Sequence, residues 1–259
     1  MTLSLRDQVV VVTGGAVRVG RAIALACAEA GASVAITYRQ SEAEAQDTVA
    51  ALRQTGSTAG SGATSEGARF AAFQADVSQA ADVARLQQEV CSTFGRATAL
   101  VNNAAIFRRT PFDNMTEADF DDHINANLKG PYLLSKQFGD VFVAQGGGAI
   151  VNIADIHGLR PLQNYIPYCI SKAGVIMLTE ALAKALAPEV RVNCVCPGTV
   201  LLPSEQQGEN DDAAALTRKI PFNRLGSPQE VAAAVVFLLG GPPFITGAVL
   251  PVDGAQRLR

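Results

Sequence analysis

The chain has 259 residues, 48% of them hydrophobic, and its 21 basic and 24 acidic side chains give a formal net charge of −3. That balance argues against a nucleic-acid partner, because neutralising a phosphate backbone takes an excess of Lys and Arg. We also expect no membrane segment and no signal peptide, since no apolar run approaches about 18 residues and Met1–Arg6 lacks an apolar core.

Strand-like and helix-like segments alternate along the whole chain. Apolar runs typical of buried parallel strands lie at Val9–Val12, Val34–Thr37, Phe70–Phe73, Ala99–Val101, Ala149–Ile153, Val190–Val195 and Ala248–Val252. Helical patterns lie between them, at 21–30, 42–54, 78–94, 117–144, 167–187 and 228–240. This alternation predicts βαβ units, so we expect one α/β domain over 1–259, doubly wound, with a seven-stranded parallel sheet and helices on both faces.

Two segments interrupt the alternation. Residues 55–67 are rich in Gly, Ser and Thr, which is typical of a flexible surface insertion. Residues 199–224 form a long polar stretch after the sixth strand, with one short helical piece at 211–219. Long loops at the carboxyl end of a parallel strand often cover a site, so we predict a substrate-covering loop here, with a plain surface loop as the alternative.

The cysteines indicate the redox environment. They are odd in number, dispersed, and without a CxxC motif or a histidine cluster, at Cys27, Cys91, Cys169, Cys194 and Cys196. This usage is typical of reduced thiols and not of a disulfide framework or a zinc site. We therefore expect a cytoplasmic protein with no bound metal.

A glycine-containing turn, Thr13–Gly20, separates the first predicted strand from the first predicted helix. The pyrophosphate of a dinucleotide can rest there on the N-terminus of the helix. Gly14 permits a tight turn, and Gly20 permits close packing of helix on strand. Arg18 replaces the middle glycine of the usual pattern, so its guanidinium can reach a phosphate and places a cation beside any substrate lying on the cofactor.

The end of the second predicted strand indicates which dinucleotide is bound. Chains that bind NAD usually place Asp or Glu there, for the ribose 2′-hydroxyl. This chain has Tyr38, Arg39, Gln40 and Ser41, with no carboxylate before Glu42. Arg39 and Ser41 suit a 2′-phosphate, so we predict NADPH as the cofactor, with a solvated arginine at a strand end as the alternative.

Four polar side chains are candidates for the chemistry. Tyr168 and Lys172 are four residues apart on a predicted helix and share a face, where an ammonium would lower the phenol pKa from about 10. Asn127 lies on the apolar stripe of the helix at 117–144, either as a functional residue or as a packed structural amide. Asp155 ends the fifth strand, where a carboxylate can relay a proton, bind a polar heterocycle or cap a loop.

Together these residues resemble the short-chain dehydrogenase/reductase family over essentially the whole chain. The resemblance is carried by Thr13, Gly14, Gly20, Asn102, Asn103, Ala104, Asn127, Tyr168, Lys172, Pro197, Gly198, Ile245, Thr246 and Gly247. It implies a Rossmann-type fold, a nicotinamide cofactor, and a homotetramer built through the helices that carry Asn127 and Tyr168. It also implies that Tyr168 donates the proton, Lys172 binds the nicotinamide ribose and Asn127 supports a water-linked proton path.

The resemblance further implies a set of cofactor contacts. These would come from Gly14, Arg18, Val19, Gly20, Tyr38, Arg39, Gln40, Ser41, Asp76, Val77, Asn103, Ala104, Ala105, Ile153, Tyr168, Lys172, Pro197, Gly198 and Val200.

Two departures from the common family pattern resemble the pteridine reductases. Asp155 stands where a catalytic Ser is usual, and Arg18 stands in the glycine-rich turn. Phe107 and the segment 38–41 are also similar. The resemblance implies a pterin or folate sandwiched between Phe107 and the nicotinamide, with Asp155 and Tyr168 supplying the proton as hydride passes from NADPH to a C=N carbon. Substrate contacts would come from Arg18, Phe107, Asp155, Tyr168 and Leu202.

Two other functions stay open from the sequence. The same fold and proton donor also suit an NADPH-dependent carbonyl reductase acting on a ketone, a sugar or an acyl thioester. A protein that senses NADP or acts as a scaffold without catalysis would have no need of Tyr168, Lys172 and Asn127. Turnover of pterins, of ketones or of neither separates the three.

Overall fold

The computed structural model describes residues 3–59, 69–200 and 213–259. Its strands are β1 (Val9–Val12), β2 (Ser33–Tyr38), β3 (Phe70–Gln74), β4 (Ala99–Asn102), β5 (Gly148–Ile153), β6 (Val190–Pro197) and β7 (Val249–Val252). Its α-helices are α1 (Arg18–Glu29), α2 (Glu42–Ala59), α3 (Ala80–Phe94), α4 (Glu117–Ile124), α5 (Gly130–Ala144), α6 (Ile166–Ala185), α7 (Ala213–Arg218) and α8 (Pro228–Gly240).

The seven strands form one parallel sheet in the order β3-β2-β1-β4-β5-β6-β7. The chain runs outward from β1 to β3 and then crosses back to pair β4 with β1, with Val10 opposite Val34 on one side and Ala99 on the other. Ligands of open α/β sheets bind at such a reversal, beyond the carboxyl ends of the strands. The predicted doubly wound, seven-stranded fold is confirmed.

Both faces of the sheet are covered, and this explains the unbroken run of valines in β1. Val10 and Val12 pack in a cluster with α1, α2 and α8, while Val9 and Val11 pack in a second cluster with α3 and α5. All four valines are buried. A strand with one wet face would alternate apolar and polar residues instead.

Two predicted boundaries differ from the structure. The helix predicted at 42–54 continues to Ala59, so residues 55–59 are helical and do not belong to a flexible insertion; residues 60–67 lie outside the described part of the chain. In the predicted covering loop, α7 confirms the short helical piece, while 201–212 lie outside the described residues.

The helix predicted at 117–144 is interrupted by a π-helical turn, Asn125–Lys129, which joins α4 to α5. Pro131 explains the break, because it has no N–H to donate to the carbonyl of Asn127 four residues earlier. Single π-helical turns inside α-helices are frequent at functional sites. This one places Asn127 in the interior, with almost no exposed surface.

One helix, α6, has the length and mean hydropathy by which membrane-spanning helices are recognised. The core helices of soluble proteins pass the same test of length and composition. It packs along β6, and it carries Tyr168 and Lys172 in the protein interior. We therefore interpret α6 as a core helix. All five cysteines are free thiols.

Candidate active site

The glycine turn between β1 and α1 is tied to the end of β4. The Thr13 hydroxyl accepts hydrogen bonds from the backbone N–H groups of Asn103 and Ala104, both at 3.0 Å. The Asn103 amide donates in return to the carbonyl of Thr13, at 2.9 Å. A Cβ at Gly20 would lie 2.1 Å from the Gly14 oxygen, so no larger residue fits there. The turn is therefore held rigidly against the sheet.

A cavity of about 340 Å³ opens above this turn. Its lining includes most of the predicted cofactor residues, Gly14, Arg18, Val19, Gly20, Tyr38, Arg39, Asp76, Val77, Asn103, Ala104 and Ala105. Residues that sequence analysis did not single out also contribute, namely Val17, Thr37, Ala75, Ile106 and Ala126. The backbone cradle and its apolar walls fit a nicotinamide dinucleotide.

Arg39 stands at the wall of this cavity with its side chain 58% exposed. Its guanidinium lies 3.9 Å from the Asp76 carboxylate, a loose contact between partly exposed groups that contributes little energy. Gln40 and Ser41 follow β2 in the turn to α2 and do not line the cavity. Their cofactor contacts stay a prediction.

The backbone of Arg18 is strained. Its φ of +53° lies in the left-handed region, which costs a residue with a Cβ about 1–2 kcal/mol and favours glycine. Arg18 nevertheless occupies the start of α1, on the wall of the dinucleotide cavity. Strain of this kind is typical of functional positions, where a side chain is retained although its backbone conformation disfavours it.

The proton-transfer residues meet at the carboxyl end of β5. The Tyr168 hydroxyl donates to Asp155 Oδ2 at 2.8 Å, and the backbone N–H of His157 donates to Asp155 Oδ1 at 2.8 Å. Lys172, with 4% of its surface exposed, donates from Nζ to the carbonyl of Ile153 at 2.8 Å. The structure thus brings together three of the predicted catalytic residues, and Ile153 takes part through its backbone.

The charges in this cluster are set mainly by burial. Burial raises the pKa of Asp155 above its ordinary value and lowers the pKa of Lys172. It also raises the pKa of Tyr168 well above 10, and the negative charge and hydrogen bond of Asp155 raise it further. The phenol is therefore neutral and holds its proton.

The expected net lowering of the Tyr168 pKa by Lys172 is not found, because burial and Asp155 raise that pKa instead. The ammonium lies 5.8 Å from the centroid of the Tyr168 ring and donates to the carbonyl of Ile153, while the phenolic oxygen faces the Asp155 carboxyl group. A carboxylate beside a phenol disfavours phenolate, so the two neighbours act in opposite directions.

Asn127 is fully engaged with its neighbours. Its Oδ1 accepts from the backbone N–H of Ile106 at 2.8 Å, and its Nδ2 donates to the Ile106 carbonyl at 2.9 Å and to the Ser171 hydroxyl at 3.1 Å. The side chain therefore joins the loop after β4 to the helix that carries Tyr168. It positions that loop, and the water-linked proton path implied for it stays a prediction.

Phe107 lies against two tyrosines. Its ring stacks on Tyr165 with centroids 4.5 Å apart and meets Tyr168 edge-on at 4.7 Å. Sequence analysis missed Tyr165, which directly precedes α6 and has no motif of its own. Tyr165 therefore occupies one face of the Phe107 ring, and the implied contact of Phe107 with a substrate stays a prediction.

His123 is a second residue that the sequence did not single out. It is buried, its Nδ1 lies 2.7 Å from the Asp119 carbonyl, and its ring centroid is 6.5 Å from that of Tyr168. Its Nε2 has no hydrogen-bond partner among the residues the structure describes. Its position on α4, beside α6, becomes visible only from the packing of the two helices.

The remaining predicted residues lie at the end of β6, shortly after it, or outside the described part of the chain. Pro197 ends β6, and Gly198 and Val200 follow it, where Gly198 donates from its backbone to the Val252 carbonyl at 3.0 Å. None of the three lines the dinucleotide cavity. Leu202 lies outside the described residues. Their contacts with a ligand stay predictions.

Comparison with known proteins gives the family. The model of the family described as "Enoyl-(Acyl carrier protein) reductase" matches residues 15–255. The chain is 38% identical to (3R)-3-hydroxyacyl-CoA dehydrogenase of Mus musculus, over 97% of both chains. It is 35% identical to 3-oxoacyl-[acyl-carrier-protein] reductase of Synechocystis, over 98% of both. The chain belongs to the short-chain dehydrogenase/reductase family.

Solved structures agree with this assignment. A dehydrogenase/reductase from Sinorhizobium meliloti 1021 superposes with a TM-score of 0.87 at 30% identity, covering 98% of this chain and 97% of that one. The family assignment carries with it an oxidoreductase that uses a nicotinamide cofactor. The relatives named above are a hydroxyacyl dehydrogenase and an oxoacyl reductase, and neither is a pteridine reductase.

Proposed function

We propose that the protein is an NADPH-dependent carbonyl reductase that acts on a ketone or an acyl thioester. The observation that carries the proposal is the buried hydrogen bond between Tyr168 and Asp155, next to Lys172. The segment 103–106, which lines the dinucleotide cavity, leads directly to Phe107, whose ring contacts Tyr168. The relatives support the substrate class, since the names of both refer to the interconversion of a hydroxyl and a carbonyl group.

The residues present fit the cofactor. Backbone groups of the turn at 14–20 would hold the pyrophosphate. Glycine is required at position 20 of this turn, because a Cβ there would clash with the Gly14 oxygen. Arg39 would hold the 2′-phosphate, which is the basis for proposing NADPH rather than NADH. Lys172 would hold the nicotinamide ribose. When bound, the cofactor supplies the hydride.

Proton delivery falls to the side chains of the chain itself. As a hydride adds to the carbonyl carbon, the C=O π electrons move to oxygen, which takes the proton of the neutral Tyr168 hydroxyl. The Asp155 carboxyl group, 2.8 Å from that hydroxyl, then returns a proton to Tyr168. Burial raises the pKa of Asp155 and so favours the protonated carboxyl group that this step requires. Solvent reprotonates Asp155 after product release.

Reduction of a C=N bond in a dihydropterin or dihydrofolate is the second candidate. It is favoured by Asp155 in the position where the family commonly has Ser, since a carboxyl group can bind the N–H groups of a heterocycle as well as relay a proton. Arg18 on the cavity wall and the aromatic pair of Phe107 and Tyr165 also suit a flat, polar ring.

One assay separates the candidates. NADPH oxidation is followed with acetoacetyl-CoA, simple ketones, dihydrobiopterin and dihydrofolate, and repeated with NADH. Turnover of the carbonyl compounds alone supports the first proposal, and turnover of the pterins alone replaces it with the second. A protein that binds NADPH and reduces nothing in the panel is a sensor or scaffold, which contradicts both.

We also propose a homotetramer. Large apolar side chains on α6 are exposed in the single chain, among them Ile170 at 46% and Met177 at 62%. Tyr132 on α5 is half exposed as well. Large apolar groups exposed on two helices favour burial against another copy. Light scattering on the purified protein measures the mass that decides it.

A further inference from the structure

A second cavity, of about 740 Å³, begins one residue after Asp155. It is formed by Ile156, His157, Arg160, Pro161, Ala215, Arg218, Lys219, Gln256, Arg257 and Arg259. Half of these residues are Lys or Arg, and no Asp or Glu belongs to the lining among the residues the structure describes. The cavity is thus strongly cationic in a chain whose formal net charge is −3.

Two of these cations have no charge partner of their own in the described chain. Arg160 and Lys219 are exposed, and neither forms an ion pair with a residue the structure describes. Arg257, by contrast, is held 3.1 Å from the Asp253 carboxylate, whose side chain is 5% exposed. Like charges that converge on one cavity repel each other unless an anion lies between them.

The cavity lies beyond the carboxyl ends of β5 and β6, next to the proton-transfer cluster. The His157 backbone that lines it donates to Asp155, the carboxyl group bonded to Tyr168. Gln256 lines it too, and its side chain is bonded to Thr199 just beyond β6, at 2.9 and 3.1 Å. The segment 155–157 therefore contributes to the proton-transfer cluster at one end and to the cationic cavity at the other.

We propose that this cavity binds an anionic group, a phosphate or a carboxylate, carried on the tail of the substrate. The inference rests on the proposed function, because the reacting end of the same molecule would lie at Tyr168 and Asp155. Guanidinium groups bind phosphate and carboxylate oxygens in pairs, so Arg160 is suited to this ligand, and Lys219 adds a point charge. The substrate would be recognised at both ends.

The first experiment measures anion binding without turnover. Protein saturated with NADP⁺, which fills the cofactor phosphate site, is titrated by calorimetry with inorganic phosphate and separately with glutarate. Arg160→Gln/Lys219→Gln is compared with the matched control Arg53→Gln/Lys184→Gln, which removes two exposed cations elsewhere. We expect at least one anion to bind wild type and control alike and to bind Arg160→Gln/Lys219→Gln about fivefold or more weakly. Equal affinity in all three proteins, or no binding to wild type, overturns the inference.

The second experiment uses pairs of substrates that share a reacting end. Acetoacetyl-CoA, with its phosphates, is compared with the N-acetylcysteamine thioester of acetoacetate, and dihydrofolate, with its carboxylates, with dihydrobiopterin. We expect Arg160→Gln/Lys219→Gln to lower the ratio of kcat/KM for the tailed over the tailless substrate by about fivefold or more. The pair that responds identifies phosphate or carboxylate as the ligand, and an unchanged ratio in both pairs overturns the inference.

Failure of the two proposals can be told apart. If no substrate in the panel is reduced, the proposed function fails, while calorimetry still decides whether the cavity binds anions. If substrates are reduced but anion affinity is the same in all three proteins, the proposed function stands and this inference fails. Circular dichroism and thermal unfolding confirm beforehand that both double variants are folded.

Discussion

Replacing Asp155 with Asn is expected to separate activity from stability. In the wild type, Asp155 accepts from the Tyr168 hydroxyl and from the His157 backbone, each at 2.8 Å. The amide of Asn can keep the bond to His157 but has no acidic proton to return to Tyr168. General acid–base groups contribute about 10²- to 10⁴-fold to a rate, so kcat should fall by that factor, which corresponds to an activation barrier about 2.7 to 5.4 kcal/mol higher.

The same substitution should not destabilise the protein at alkaline pH. Burial raises the pKa of folded Asp155 above its unfolded value, so its favourable contribution is present below the unfolded pKa and is lost as pH rises through the folded pKa. Each tenfold difference in proton affinity between the two states corresponds to about 1.4 kcal/mol. Relative to Asp155→Asn, the wild type should therefore lose stability as pH rises from the unfolded pKa of about 4 through the raised pKa of folded Asp155.

Two measurements test this pair of expectations. The pH dependence of kcat/KM is compared for wild type and Asp155→Asn, and thermal unfolding is recorded at acid pH and at alkaline pH. Asp140→Asn, on the exposed face of α5, is the matched control and should alter neither. Activity within about threefold of wild type refutes the proton-transfer role. A loss of more than about 2 kcal/mol in the unfolding free energy at alkaline pH refutes the assignment of Asp155 as a buried group whose ionisation destabilises the fold.

Three further substitutions test other parts of the site. Arg39→Ala should raise the KM for NADPH about fivefold and leave that for NADH unchanged, because a 58% exposed guanidinium contributes roughly 1 kcal/mol; equal effects on both cofactors contradict the role. Arg18→Gly should leave the unfolding free energy equal or higher, because relief of about 1 kcal/mol of backbone strain offsets the entropy that Gly adds to the unfolded chain. The same variant should raise the KM for NADPH or for the substrate. Met177→Glu should lower the mass measured by light scattering, because a charge cannot be buried unpaired between copies; an unchanged tetramer places the interface elsewhere.

The fold was predictable because local and global preferences agree. The run of four valines in β1 predicts a strand covered on both faces, and all four side chains are buried in the structure. The capping box of Ser227 and Glu230 and the proline that follows Ser227 likewise start α8 where the pattern predicts. Strands and helix starts of this kind are determined by residues close together in sequence, so they can be predicted from one sequence.

The site was predictable in membership but not in its electrostatics. The motifs correctly brought Asp155, Tyr168 and Lys172 together, because the family pattern places the first just after β5 and the other two on α6. Spacing alone could not show that Lys172 donates to a backbone carbonyl while Asp155 faces the phenol. The sequence therefore predicted a lowered Tyr168 pKa, whereas the structure raises it. Tyr165 was missed for a related reason, since its stacking on Phe107 joins segments far apart in sequence.

The places where local preference is violated coincide with the proposed chemistry. Arg18 occupies a left-handed backbone conformation that favours glycine, and Lys172 is a buried cation whose pKa burial lowers. Asp155 is a carboxyl group whose ionised form burial disfavours. Each costs free energy that the well-packed sheet core offsets, and none is needed to form the fold. All three residues lie at one edge of the sheet, so the residues at that edge lower the stability of the fold. We infer that they serve ligand binding and proton transfer instead.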